Sequence, residues 1–230
     1  MQHDAERFRD LTLAAFLERL SSLDPVPGGG SASAVAASLG AGLVAMVAAL
    51  SADRPKYAVH AGLHASVRAA ALELKDRFLA LADEDARAYE AYSAAMKLPR
   101  ETEAEKALRT AAIRAAARAA AEVPLRCVEA CVELVRAAEA LAGRSNINAS
   151  SDLNVAALLS EAAAQGAAAN VIVNLPSVAD EEWTEATRRQ VDELLGEIDA
   201  LATEARLVVA SGVTRDPRPA ELAAAGIARA

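Results

Sequence analysis

The sequence predicts an all-α protein, an antiparallel bundle of about six helices with long, alanine-rich central members. Three observations carry this expectation. Apolar residue types make up 53% of the chain but aromatic ones only 3%. Alanine fills much of that gap, and it is the strongest helix former, whereas strands draw on β-branched and aromatic residues. Apolar side chains also recur at helical spacing, as at Leu13, Phe16, Leu17 and Leu20. Finally, capping residues and prolines bound segments that are too long to be strands.

The elements follow in order. Thr12 caps a first helix, which Asp24-Pro25-Val26-Pro27-Gly28-Gly29-Gly30 ends. Ser31 or Ser33 is expected to cap a second helix running to about Asp53. Arg54-Pro55-Lys56-Tyr57 reads as a loop, because Pro55 disfavours helix at Arg54. A third helix spans about His60 to Met96 and stops before Leu98-Pro99. Thr102 and Glu105 have capping-box spacing and start a fourth helix. It reaches about Ala142, with Pro124 expected to kink or interrupt it. A polar loop covers residues 143–151, and Ser151 or Asp152 caps a fifth helix that ends near Asn174-Leu175-Pro176. Asp180 caps a last helix through about Ser211. The tail, 212–230, holds two prolines and is expected to be at most partly ordered. No repeat and no linker divides the chain, so residues 1–230 read as one domain.

Composition narrows the partners. A formal net charge of −8 disfavours nucleic acid, which wants a basic face. Between Asp24 and Asp53 no residue is charged, and the stretch is long enough to span a membrane. Alanine, glycine and serine dominate it, however, and insertion is driven by Leu, Ile, Phe and Val. It reads instead as a buried central helix, apolar all round and closely approached by its neighbours. No basic start precedes an apolar segment with a cleavage site, so the expected location is the cytoplasm. Cys127 and Cys131 share a helix face without further ligands nearby and read as core thiols. His60 and His64 have the i, i+4 spacing of zinc ligands but no third ligand, and read as surface histidines. No metal is expected.

Several places could carry chemistry. Gly28, Gly29 and Gly30 fit neither nucleotide fingerprint, since no Lys-Ser/Thr pair follows and no strand precedes. They are either a tight linker or a stretch of open backbone N–H groups, at a helix start, facing an anionic or carbonyl-bearing ligand. Asn146, Asn148, Ser151 and Asp152 crowd amides, a hydroxyl and a carboxylate ahead of a helix. Asn170 and Asn174 add two amides to one face of the next segment, and buried amides require partners. Asp85, Tyr89 and Tyr92 form a stripe able to line a cleft, while Asp83 and Glu84 read as a solvated face. Lys56, Tyr57 and Lys97 place two cations and a phenol near helix ends.

These pieces, in this order, resemble the cyclodeaminase/cyclohydrolase family of folate one-carbon metabolism, which includes the C-terminal domain of formimidoyltransferase-cyclodeaminase. The resemblance rests on Pro25-x-Pro27-Gly28-Gly29-Gly30-Ser31, Asp85-x-x-Ala88-Tyr89, Leu98-Pro99, Thr102 to Glu105 and Val123-Pro124-Leu125. It continues through Asn148-Ala149-x-Ser151-Asp152-x-x-Val155-Ala156 and Asn170-Val171 to Asn174-Leu175. The chain departs from the family at Ala52-Asp53-Arg54-Pro55-Lys56-Tyr57, where a Gly-Lys-Lys-Lys-Tyr-like segment is usual.

The resemblance implies a homodimer with a folate cleft near its interface, and a reaction at an amidine carbon. The reaction is either release of ammonia from 5-formimidoyltetrahydrofolate or addition of water to 5,10-methenyltetrahydrofolate. It implies Asp152, Asp85 and Lys56 as catalytic residues, with Gly28, Gly29, Gly30, Ser31, Tyr57, Tyr89, Asn146, Asn148 and Ser151 binding the substrate. No cofactor beyond the folate is implied, and functional coupling to a separate formimidoyltransferase is. A helical dimer of the same fold, altered in catalysis and binding a folate or a protein, is the alternative.

Overall fold

The structure is a computed structural model and describes residues 7–217. Six α-helices account for most of these residues, short 3-10 turns lie in three of the five connections between them, and no strand occurs among the described residues. They are α1 (Leu13–Leu20), α2 (Gly29–Ser51), α3 (Ala61–Met96), α4 (Glu103–Leu141), α5 (Ser150–Asn174) and α6 (Glu181–Ser211). The all-α expectation therefore holds, and so do several predicted boundaries. Thr12 accepts a hydrogen bond from the Ala15 N–H. Glu105 accepts from the Thr102 N–H at 2.8 Å, while the Glu105 N–H donates to the Thr102 hydroxyl at 3.2 Å. Asp180 accepts from the Trp183 N–H. Each satisfies N–H groups that a helix start would otherwise leave open.

Other boundaries differ. α2 begins at Gly29, with the Ala32 N–H already bonded to the Gly28 carbonyl, so Ser31 and Ser33 lie inside it and cap nothing. α5 likewise starts at Ser150, one residue before its expected caps. The segment from Pro55 to His60 is a 3-10 turn rather than an open loop, entered through Asp53 in the left-handed region at φ 58°. Aspartate tolerates that conformation better than most residues.

Pro124 sits inside an uninterrupted α4. Proline lacks the N–H that would bond the carbonyl four residues earlier. That carbonyl, of Ala120, instead accepts from the Asn174 side-chain amide at 3.0 Å. A residue from α5 thus repairs the break that Pro124 makes in α4.

The helices divide into two compact units that draw on stretches of the same long helices. One comprises residues 7–35, Phe78–Glu129 and Ala163–Leu195 and is called the first unit; the second comprises Ala36–Arg77, Ala130–Ala162 and residues 196–217. In the first unit Phe8 and Phe16 meet edge to face at 5.5 Å, and Phe78, Leu125, Val171 and Leu175 are buried. Asp83, expected on a solvated face, is buried there and accepts the Phe8 N–H at 2.7 Å. A buried carboxylate needs such a donor.

In the second unit Val44, Val47, Leu134, Leu141, Leu153 and Ile198 are buried. A Cβ at Gly40 would stand 3.3 Å from the Ala156 carbonyl oxygen, so α2 and α5 approach closely there. His60 and His64 are buried rather than on the surface, with His64 Nε2 2.9 Å from the Arg144 carbonyl oxygen. Cys127, in the first unit, and Cys131, in the second, are buried and form no disulfide. No cluster of ligands fit for a metal occurs among the described residues.

α2 is long and apolar enough to cross a membrane, as is the stretch Ile147–Ser177. It is not buried all round, which corrects the expectation. Leu39, Met46 and Leu50 are exposed, the first by 58%. The start of the tail packs on the second unit, where the Arg215 N–H donates to the Gly143 carbonyl oxygen and Arg215 pairs with Glu139 and Glu204. The remainder of the predicted tail, 218–230, lies outside the described residues.

Candidate functional site

Within the first unit, the start of α2, the middle of α3 and the end of α5 enclose a cavity of about 420 Å³. Its wall includes Gly28, Gly29, Gly30, Asp85, Tyr89, Tyr92, Asn170, Asn174 and Ser177. Asp85, Tyr89 and Tyr92 reach one wall because i, i+4 and i+7 positions share a helix face. The glycines form another wall out of main chain alone.

The contact between Gly30 and Asp85 is close. A Cβ built on Gly30 would lie 2.2 Å from Asp85 Oδ1 and 2.6 Å from its Cγ. Only glycine admits the carboxyl to this place, at the positive end of a helix. Asp85 Oδ2 is 2.8 Å from the Ser31 hydroxyl, which also stands 3.1 Å from the Ala82 carbonyl oxygen. Burial pushes the Asp85 carboxyl above its ordinary range, partly offset by the hydroxyl and backbone N–H of Ser31.

Two amides complete the wall. Asn170 donates to the Gly166 carbonyl at 2.8 Å, and Asn174 donates to the carbonyls of Ala120 and Asn170. Asn174 thereby commits both hydrogens of its amide, whereas Asn170 keeps one. Tyr92 and Ser177 share a hydroxyl–hydroxyl contact at 3.2 Å. The wall carries one carboxyl and no lysine or arginine. A lone carboxyl with no cation on the same wall suits a ligand that brings N–H groups or positive charge. An adjoining cavity of about 440 Å³ shares Pro25, Val26 and Tyr89 with it and adds Arg19 and Lys97 alongside Asp24 and Glu90.

The structure separates the predicted site residues into two groups. Gly28, Gly29, Gly30, Asp85 and Tyr89 line the cavity. Ser31, expected to contact substrate, is fully buried and is turned to Asp85 instead of lining the wall. Lys56, Tyr57, Asn146, Asn148, Ser151 and Asp152 belong to the second unit. There Asn146 is buried and committed to the fold: its amide donates to the Leu50 carbonyl and its oxygen accepts the Asn148 N–H. The Tyr57 hydroxyl accepts the Ile147 N–H at 3.1 Å. Lys56 is exposed with its ammonium 5.4 Å from the Tyr57 ring centroid. Lys56 and Tyr57 line a separate, small cavity of about 30 Å³ with Ile147, Leu153 and Val213. Asn148 and Ser151 are exposed, and Asp152 is half-buried in the first turn of α5.

Sequence reasoning did not place Tyr92, Asn170, Asn174 and Ser177 together at one site. The i, i+4 spacing of the asparagines was a visible signal; Ser177 gave none.

Comparisons with known proteins bear on this geometry. A family model described as formiminotransferase-cyclodeaminase matches residues 12–193. The chain is 37% identical to a methenyltetrahydrofolate cyclohydrolase of Methylorubrum extorquens, over 83% of this chain and 91% of that protein. It is 36% identical to the formimidoyltransferase-cyclodeaminase of Rattus norvegicus over 88% of its own length, but spans only 37% of that protein. The crystal structure of a formiminotetrahydrofolate cyclodeaminase from Thermotoga maritima superposes with a TM-score of 0.80 at 25% identity, covering 88% of this chain and 98% of that one.

Proposed function

The chain belongs to the formiminotransferase-cyclodeaminase family, and from that premise we propose that the cavity beside Gly30 and Asp85 is its folate site. The protein is a folate one-carbon enzyme of the cyclodeaminase/cyclohydrolase class. Its substrate is a tetrahydrofolate carrying an amidine carbon, either open as 5-formimidoyl or closed as 5,10-methenyl.

The observation that carries this reading is the half-buried carboxyl of Asp85, held against a helix start in an otherwise uncharged cavity. Attack on an amidine carbon makes a tetrahedral centre flanked by nitrogens. The nucleophile, a substrate nitrogen in ring closure or water in hydrolysis, must lose a proton, and the leaving nitrogen must gain one. Asp85 takes the first proton and returns it to the leaving nitrogen, and its ionised form balances the cationic amidine. Burial raises its proton affinity toward that of the groups it serves. Asn170 and Asn174, which line the cavity, hold polar groups of the substrate, and Arg19 and Lys97 in the adjoining cavity receive the substrate carboxylates.

Asp85 rather than Asp152 is the proton carrier, since Asp152 lines none of the three cavities described above. The chemistry needs no nucleotide and no metal. Supply of the formimidoyl substrate by a separate formimidoyltransferase fits the fused relatives.

The test is to incubate the protein with each folate and follow methenyl absorbance. Turnover of one of them, lost in Asp85→Asn and kept in Asp152→Asn, is expected. Full activity in Asp85→Asn would overturn the assignment.

The protein is further proposed to be a homodimer. On α2, Leu39, Leu43, Met46 and Leu50 recur at alternating spacings of four and three, on a helix with no charged residue. In the second unit the neighbouring α5 exposes Val155 and Leu158. An uncharged, self-complementary face of this kind fits a second copy of the same chain. Leu39→Glu is expected to shift the mass in light scattering from dimer to monomer, and an unchanged mass would exclude this face.

A further inference from the structure

We propose that Ser31 is a positioning residue for Asp85, its hydroxyl adjusting to the carboxyl in both charge states. The inference rests on reading Asp85 as the proton carrier. Ser31 is fully buried and has one hydroxyl hydrogen, yet two acceptors surround its Oγ: Asp85 Oδ2 at 2.8 Å and the Ala82 carbonyl oxygen at 3.1 Å. A hydroxyl that served only to fill space or to hold its own helix would not need both.

The second acceptor has a use when the carboxyl changes charge. With Asp85 ionised, the hydroxyl hydrogen points to Oδ2, a charge-assisted bond. With a proton on Oδ2, the carboxyl O–H donates to Ser31 Oγ, and the hydroxyl hydrogen turns to the Ala82 carbonyl. One proton is gained, one hydrogen rotates, and no buried polar atom loses its partner in either state. A general acid–base group must visit both states in each turnover, and this arrangement lets it do so without moving its heavy atoms.

No charged side chain competes for control of Asp85. α2 presents Gly29, Gly30 and Ser31, and α5 presents Asn170 and Asn174. On its own helix, Tyr89 and Tyr92 share the cavity wall, Asp83 is turned to the Phe8 N–H, and Glu84 is paired with Arg126. The causes that act on its ionisation are burial and the Ser31 hydrogen bonds, with no charged partner among them.

The experiment is a titration of the Asp85 carboxyl by carbon-13 NMR in the full chain without substrate, the signal being assigned by its loss in Asp85→Asn. Ser31→Ala, a substitution that helices favour, is expected to move the midpoint up by about one pH unit, the worth of one hydrogen bond to a charged group. Ser31→Thr, which keeps the hydroxyl, is expected to restore it. Where turnover is measurable, the limb of the pH–rate profile that reports Asp85 moves with the same sign. A midpoint unchanged or lowered in Ser31→Ala overturns the proposal, as does a Thr variant that titrates with the Ala variant. Because the midpoint is read without folate, failure of the folate assignment would show as missing turnover with the midpoint shift intact.

Discussion

Gly30→Ala changes the catalytic geometry without removing any group that touches substrate. The new Cβ would sit 2.2 Å from Asp85 Oδ1, 2.6 Å from Cγ and 2.8 Å from Oδ2. All three are closer than a methyl can stand, so the carboxyl must retreat. Recovering an ordinary contact takes a shift of about 1 Å, and a displacement of that size in a reacting group costs on the order of 100-fold in rate. The helix itself gains, because alanine is favoured over glycine by about 1 kcal/mol in a helix. A fall in activity therefore cannot be traced to unfolding if the melting temperature is held or rises. Gly196→Ala is the control: a Cβ there meets nothing within 4 Å, and the expected result is unchanged kcat with slightly raised stability. The assay is the initial rate of methenyl absorbance change together with a thermal melt. A Gly30→Ala protein with the kcat of the parent would refute the claim that Asp85, in this position, moves the proton.

Three further outcomes are expected. Asp85 binds its proton more tightly folded than unfolded, so the parent loses stability as pH rises through the ordinary carboxylate range up to its raised value. Asp85→Asn escapes that loss, and its melting temperature should exceed the parent's at pH 7 by a margin that closes as the pH falls through that window. Asn174→Leu leaves the Ala120 carbonyl open beside Pro124 and should cost about 1–3 kcal/mol in denaturant melts; Pro124→Ala, which restores the helix N–H, should recover part of it. Gly166→Ala would bring a Cβ to 2.3 Å from the Ser33 hydroxyl, which must turn away and lose its bond to the Gly29 carbonyl. That loss offsets the roughly 1 kcal/mol alanine gains over glycine in a helix, so the melting temperature should not rise as it does in Gly196→Ala.

Much of the fold is local chemistry and was legible as such. Thr12, the Thr102–Glu105 box and Asp180 mark helix starts because capping involves residues three apart in the chain. The alanine-rich, aromatic-poor composition leaves no other fold class. The stripe of Asp85 and Tyr89 was visible for the same reason, since helical spacing puts them on one face.

What the sequence could not decide depends on contacts between distant segments. Asp83 and Asp85 are two residues apart and chemically alike, yet one fastens the chain at Phe8 and the other enters the cavity. Ser31 looks like a cap or a ligand contact and instead supports a carboxyl from another helix. Asn146 has the chemistry of a binding residue and is consumed in holding a loop, while Asn174 mends a proline gap and also lines the cavity. A side chain's hydrogen-bonding capacity is written in its chemistry. Whether the fold uses that capacity or leaves it for a ligand is set only when the partners arrive in space, and here that difference defines the site.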